Sequence, residues 1–536
     1  MSPSRGALLT GAAVTAAAAV ALTVVVWPDD SDDARRGGTA ASPARATPSA
    51  SPSPSRSYPL SSEPRTIPAV REHKAARGPG WKPGPSSTVV IADGSDALAD
   101  EAQLLAKELK IRYRGEVSAR AGDVELALGT AGKGAPESYT LKTRDGRVTI
   151  SGPDQAGVFY GTRTLKQALR TGGVVPEGEV RDRPDRPQRG LNLDIARKYY
   201  TAEWIEDRLR VMADLKLNQL GLHFSDDQAF RVESESHPEI VSAEHLTRAE
   251  VRRIVDLAGA LHIQVVPEID SPGHLGAVLR AHPDLQLRNV QGVASTGSLD
   301  ISKPGAAKII DELIDEYTET FGGSYFHLGA DEYRALTVQN PSASYPQLLR
   351  AAQQKYGAQA DIEDLATGWL NDRAAVVRGD DRTPKAWNDG FFNGGAVDAD
   401  KDIEVEYWTG KEIGAREPQE YLSEGRRVVN LNDEFLYYVL GEPNQFVYPT
   451  GKRIYEQWTP LVLRGTQPVN SRYSGQILGG RFAVWGDLPN AQTAEQVAQG
   501  IRMPLRAVSQ KLWDPRTPEL SWAQFQDLAK EIDRTG

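Results

Sequence analysis

From about Thr88 the chain alternates apolar and polar positions in short blocks. VVIAD at 89–93 and VELALG at 124–129 read as strands, ALADEAQLLAKEL between them carries a 3.6-residue apolar period, and SYTLKTRDGRVTISG reads as a hairpin turning at Asp145-Gly146. A second helical pattern follows in GVFYGTRTLKQALR, and the charged, proline-rich RDRPDRPQ at 181–188 closes the block. Strands with helices on one side make a small α+β domain, expected over 67–185.

Beyond Arg189 the rhythm changes to apolar runs alternating with helical stretches. Eight runs read as strands: GLNLDIA, NQLGLHFS, IQVVPEID, YFHLGADE, PKAWND, IEVEYW, RVVNLND and GGRFAVWGD. EVRRIVDLAGALH, AAKIIDELIDEYTETF and TAEQVAQGIRMPLRAVSQKLW supply helices between or after them. Eight such units close on themselves, so the fold class predicted is α/β, a (β/α)8 TIM barrel over 186–536, with one more helix after Pro518. The connections after strands three and seven are long, which in a barrel marks site-forming loops.

Barrel enzymes keep their chemistry at the C-terminal ends of strands. Arg189 enters strand one, which carries Asp194 and Arg197. Strand two ends in Ser225-Asp226-Asp227, and strand three in Glu268, Asp270 and, after Pro272-Gly273, His274. Strand four ends in Asp331-Glu332, strand five in Trp387-Asn388-Asp389, strand six in Tyr407-Trp408 and strand eight in Trp485-Gly486-Asp487. Carboxylates, a histidine and three tryptophans converging on one mouth suit a carbohydrate: indole faces stack on pyranose rings while carboxylates take the hydroxyls. A metal would compete for the acidic groups, but no Glu-x-x-His or His-x-x-x-His spacing supports it, and neither metal nor cofactor is predicted. As plain structure, Asp194 with Arg197 reads as a buried ion pair holding the barrel, and Asp227 and Arg231 read the same way.

Composition narrows the class. Net charge is −10 with no basic block, so nucleic acid is not an expected partner, and the absence of cysteine removes disulfides and thiolate chemistry. After Arg5 an apolar stretch from Ala7 to Trp27 runs into DDSDD, which reads as export: residues 1–30 are expected to be a cleaved signal or a single membrane anchor. The Ala, Ser, Thr and Pro-rich 31–66 is expected to be a disordered spacer. The folded part is then extracellular, secreted or tethered to the outer face.

The motifs RGLNLDIARKYY from Arg189, SDDQAFR at 225–231, PEIDSPGH at 267–274, HLGADEY at 327–333 and WGD at 485–487 resemble, in order and spacing, the exo-acting β-N-acetylhexosaminidases of glycoside hydrolase family 20. The resemblance covers roughly 67–515. It implies substrate-assisted retaining hydrolysis of a terminal N-acetylglucosamine or N-acetylgalactosamine, an exception to schemes with an enzyme nucleophile. Glu332 is implied as general acid and base, and Asp331 as the partner that orients the 2-acetamido group, its charge keeping Glu332 protonated while Asp331 stays ionised. His274 and Asp226 are implied as a relay behind the acid, Arg189 as the grip on O3 and O4, and Trp387, Trp408 and Trp485 as pocket walls.

Three departures stand out. The family's tyrosine two residues before an aspartate falls in LYYVLG, where Tyr438 or Tyr437 serves and, counted from Tyr438, the aspartate position reads Leu440. Asp487 stands where glutamate is usual, and Ala330 where glycine is frequent. These leave open release of a disaccharide, as by the family's lacto-N-biosidases, and a non-catalytic glycan-binding barrel; a barrel glycosidase with two enzyme carboxylates is the remaining alternative.

Overall fold

The computed structural model describes residues 57–129, 134–411 and 415–534. The expected signal or anchor and most of the spacer lie outside the described residues. Among these, no helix is long and apolar enough to cross a membrane. The spacer's last residues are a correction: the hydroxyl of Ser61 donates to the Glu177 carbonyl, Leu60 bridges Arg77, and Thr66 is buried. A composition averaged over 31–66 hides this change, because a few backbone and hydroxyl contacts suffice to order a polar segment against a domain.

The small domain holds a seven-stranded sheet with helices Ala99–Leu109 and Gln155–Gly172. The hairpin Tyr139–Arg144 and Arg147–Gly152 turns at Asp145 and Gly146, both with positive φ, as a two-residue turn matched to strand twist requires. Edge strand Glu72–Ala75, strand Arg112–Glu116 and strand Gly178–Asp182 were not evident in the periodicity, being short and charged.

The barrel strands are Gln188–Asp194, Gln219–His223, Gln264–Glu268, Tyr325–His327, Thr383–Trp387, Glu404–Tyr407, Val428–Asn430 and Ile477–Trp485. All pair in parallel in chain order, and strand eight closes on strands seven and one. The eight runs read from the sequence are these eight strands. Thr247 and Thr493 cap the helices Arg248–Ala260 and Ala494–Trp513 through reciprocal boxes with Glu250 and Gln496, satisfying backbone donors at the helix starts.

The barrel interior is charged rather than aliphatic. Lys385 meets Glu404 at 2.8 Å and Glu406 at 3.2 Å, Arg481 pairs with Glu406, and Glu268 lies 3.1 Å from His223. All six are at most 2 % exposed, so each charge needs its partner.

Arg189 anchors the opposite end. It opens strand one, and at roughly 3.3 Å of rise per residue that places it at the bottom of the barrel, far from the mouth. Its guanidinium is fully buried, pairs with Glu137 of the small domain at 2.8 Å and donates to the Lys216 and Arg186 carbonyls. Arg189 is therefore an interdomain clamp and not the sugar grip. Lys216 reinforces the joint through Tyr139 and Asp182, as does Arg163 between Glu108 and Asp214.

Glu137→Gln leaves Arg189 buried without its counter-charge and is expected to cost roughly 3 kcal/mol of stability. Urea unfolding checks this. KM well below the transition stays unchanged; a raised KM would instead return Arg189 to the sugar site.

Candidate active site

Asp194, at the exit of strand one, is fully buried. It accepts the backbone N–H of Arg197 at 2.9 Å, the Arg197 guanidinium at 3.1 Å and the N–H of Gly486 at 2.9 Å. Strand one is thereby tied to the exit of strand eight. Gly486 must be glycine, since a Cβ there would lie 2.8 Å from the Lys198 nitrogen. The other arm of Arg197 reaches Asp226 at 2.7 Å. Arg197 thus belongs to the ion pair expected of it and also lines the mouth.

Asp226 is buried and receives three cations: Arg197, His223 at 2.8 Å and the Nδ1 of His274 at 3.3 Å. Burial alone would raise its pKa, but His274 and Arg197 outweigh it and hold the carboxyl well below the usual range. Burial likewise opposes charge on His223, yet Glu268 and Asp226 lift it to about 10, and Glu268 is held at about 2. The His274 imidazole is kept protonated despite burial by Asp226, Asp331 and Asp270. Its Nε2 lies 3.3 Å from Glu332 and 3.9 Å from Asp331. Asp226, His274 and Glu332 therefore form a line, the order expected of a relay.

The exit of strand four is bent. Gly329, Ala330 and Glu332 all have positive φ, at 68°, 77° and 46°, and a Cβ on Gly329 would sit 1.8 Å from Asp270. Strained backbone of this kind concentrates at functional sites. The turn sends the doublet apart. Glu332 is exposed at the mouth, its N–H donating to Asp389 at 3.1 Å. Asp331 points inward between Asp270, His274 and Asp389, and its buried Oδ1 has no hydrogen-bond partner.

In the free site each pKa shifts away from the direction that the resemblance implies. The hydrogen bond from His274 lowers the Glu332 pKa, while burial raises that of Asp331. Asp270 is pushed well above the carboxylate range by burial and Asp331, and Asp389 to about 8 by burial and Asp331. Asp270, Asp331 and Asp389 crowd one point and cannot all ionise, whereas Glu332 stands beside the His274 cation at the solvent edge.

Aromatic walls complete a cavity of about 580 Å³ lined by Arg197, His274, Asp331, Glu332, Trp408, Tyr437, Val439, Trp485 and Asp487, with Lys411, Asn444 and Phe446 at the rim. Trp408 and Tyr437 stack at 5.6 Å and 5°, and Tyr437 lies 5.7 Å from Trp485. The Trp408 indole donates to Asp389 at 3.0 Å. Trp387 is not a wall: it is 1 % exposed beneath the cavity, donating to Glu268 at 2.8 Å and packing on His327 and Trp485. Asp487 is exposed at the rim, near Arg197.

Tyr438 faces away. The strand Tyr437–Val439 alternates sides, so Tyr437 and Val439 look into the cavity while Tyr438 donates to Gln492 and stacks on Tyr448. With Tyr437 as the cavity tyrosine, the position two residues on is Val439 and not Leu440. Sequence reasoning also left Asp270 and Asp389 without roles. Both stood at strand ends in PEID and WND, the signal by which they could have been found. Asp270, His274 and Asp331 lie close enough together to ligate a metal ion, but the surrounding carboxylates hold His274 as a cation with no lone pair to give.

Two family models match the chain: glycosyl hydrolase family 20, catalytic domain, over 187–515, and domain 2 of the same family over 63–183. A lacto-N-biosidase of Bifidobacterium bifidum is 32% identical over 482 residues, 88% of this chain and 42% of that protein. A β-hexosaminidase of Porphyromonas gingivalis is 31% identical over 281 residues, 45% of this chain and 36% of that one. The chain thus spans about two-fifths of the length of these curated relatives. A mutant β-hexosaminidase of Streptomyces plicatus, solved in complex with its product GlcNAc, superposes with a TM-score of 0.70 at 22% identity, covering 90% of this chain and 96% of that one, a likeness of fold. The catalytic model covers more than half of the chain and its strands carry the bent acidic doublet, so the chain belongs to glycoside hydrolase family 20.

Proposed function

We propose that this chain cleaves the β-glycosidic bond of an N-acetylhexosamine at the non-reducing end of a glycan, using the substrate's own acetamido group as nucleophile. The observation that carries the reading is the unpartnered, buried Oδ1 of Asp331 on the floor of an aromatic cavity, with Glu332 standing exposed beside it. An acetamido N–H supplies the missing donor. Held there, the acetamido oxygen attacks C1, the C1–O bond to the leaving group breaks, and Glu332 gives its proton to the departing oxygen. Asp331 offsets the positive charge on the oxazolinium ring, and the hydroxyl of Tyr437, a lining residue of the cavity, holds the acetamido oxygen before attack. Water, deprotonated by Glu332, then adds to C1 from the face the leaving group left as the bond from C1 to the acetamido oxygen breaks, which restores the acetamido group and retains the β configuration.

Substrate shifts both carboxyls in the direction that this step needs. A sugar in the cavity strips water from Glu332, raising its pKa, while the acetamido N–H hydrogen bond lowers that of Asp331. The N-terminal stretch Ala7–Trp27 supports an exported enzyme acting on glycans outside the cell.

A second reading, release of a disaccharide, is favoured by Val439, which puts an apolar side chain where a hydroxyl-binding aspartate is usual. The lacto-N-biosidase relative, matched across 88% of this chain, points the same way. Release of 4-nitrophenol from its β-N-acetylglucosaminide, β-N-acetylgalactosaminide and β-lacto-N-bioside separates the readings. Monosaccharide release establishes the first and disaccharide-only release the second. Silence on all three removes both and leaves a glycan-binding barrel.

Asp331→Asn is expected to lower kcat by about 10²–10³-fold, or roughly 3–4 kcal/mol of barrier, with little change in product affinity. An unchanged rate would sink its role. His274→Ala removes the cation that lowers Glu332 and that also favours the ionised Asp331. Both carboxyl pKa values rise, so both limbs of the kcat/KM profile are expected to move to higher pH. A profile that falls in height without moving would show that His274 does not set these protonation states.

A further inference from the structure

Outside the cavity, two loops meet at a cluster that the hydrolase does not use. His237 and Glu239 flank Pro238 on the connection after strand two, and His282 ends the helix Gly276–Ala281 on the connection after strand three. Glu239 Oε1 lies 3.0 Å from His237 Nδ1 and 2.8 Å from His282 Nε2, and the three atoms sit within 4.8 Å of one another. The far nitrogen of His237, Nε2, is 3.1 Å from Glu312 on the helix Pro304–Phe321. Both histidines are half-buried and Glu239 is exposed.

Both nitrogens of His237 face carboxylates, and one oxygen of Glu239 faces both rings. The same three side chains are spaced to share one metal ion. With the Nε2–H of His237 donated to Glu312, the tautomer is fixed and the Nδ1 lone pair points at the space shared with His282 and Glu239. A carboxylate that orients a ligating histidine from behind is a regular partner of metal sites. Two imidazoles and one carboxylate, with the solvent side left for water, suit zinc and its first-row neighbours and not calcium or magnesium, which take oxygen ligands.

We propose that His237, Glu239 and His282 bind one divalent transition-metal ion of the zinc class, with Glu312 orienting His237. The ion would staple the outer ends of the two connections whose inner ends carry Asp226 and His274, so its effect is on the stability of these loops and not on the chemical step.

The test is calorimetric titration of the metal-stripped full chain with zinc chloride, with a cobalt(II) absorption spectrum and zinc anomalous diffraction on the same protein. Expected are one zinc per chain, an anomalous peak among the three side chains, and an unfolding midpoint that rises with zinc. His282→Gln should abolish the site, and Glu312→Gln, which removes no ligand, should weaken zinc 10–100-fold. Calcium should give no binding. Zinc uptake equal in the wild type and a His237→Ala/His282→Ala variant of unchanged circular dichroism, or an anomalous peak at His274 alone, would overturn the proposal. If His282→Gln does not fold, Glu312→Gln decides: unaltered zinc affinity overturns it.

Discussion

Asp226 is the charge on which the mouth of the barrel is built. A buried carboxylate costs several kcal/mol to desolvate, and here three cations from three different places, Arg197, His223 and His274, converge to meet that cost. Each cation has a second carboxylate: Asp194 for Arg197, Glu268 for His223 and Glu332 for His274. The ends of strands one, two, three, four and eight are thereby held at fixed distances. Take away Asp226, and three positive groups would repel one another at the mouth of the barrel.

The same logic runs down the barrel axis. Glu268, Glu404 and Glu406 alternate with His223, Lys385 and Arg481, and burial depresses Lys385 to about 8 and Arg481 to about 10. Apolar side chains could fill that space as well or better in energy. What charges add is geometry, since a buried ion pair tolerates little displacement. Trp387 illustrates the transfer, because its indole bond to Glu268 fixes the ring on which Trp485 and the cavity floor rest.

Above this frame the cavity divides its work by exposure. Asp331 is inward, crowded by Asp270 and Asp389, and burial raises its pKa. Glu332 is outward, and the hydrogen bond from His274 lowers its pKa. The neighbours differ because the backbone between Gly329 and Glu332 turns through the left-handed region and aims them in opposite directions. Val439, two residues after the cavity tyrosine, lines the cavity with an apolar side chain, and Lys411 and Asn444 stand at its rim.

The sequence by itself determined the architecture and the central pair. Eight apolar runs separated by helical periods leave a closed parallel barrel as the way to bury both faces, and a doublet in HLGADEY at a strand end is at a mouth wherever that strand stands. Direction and facing were decided only in three dimensions. Arg189 and Arg197 lie eight positions apart on one strand and its exit, so they end at opposite poles of the barrel, and only the packing of the small domain shows that Arg189 answers Glu137. Tyr437 and Tyr438 are indistinguishable by type, and the choice between them was made by strand alternation against Gln492 and Tyr448. The pKa shifts of the pair were beyond the sequence for a like reason: a pKa depends on the charges that surround a group in space, and those around Asp331 and Glu332 come from strands one, two, three and five.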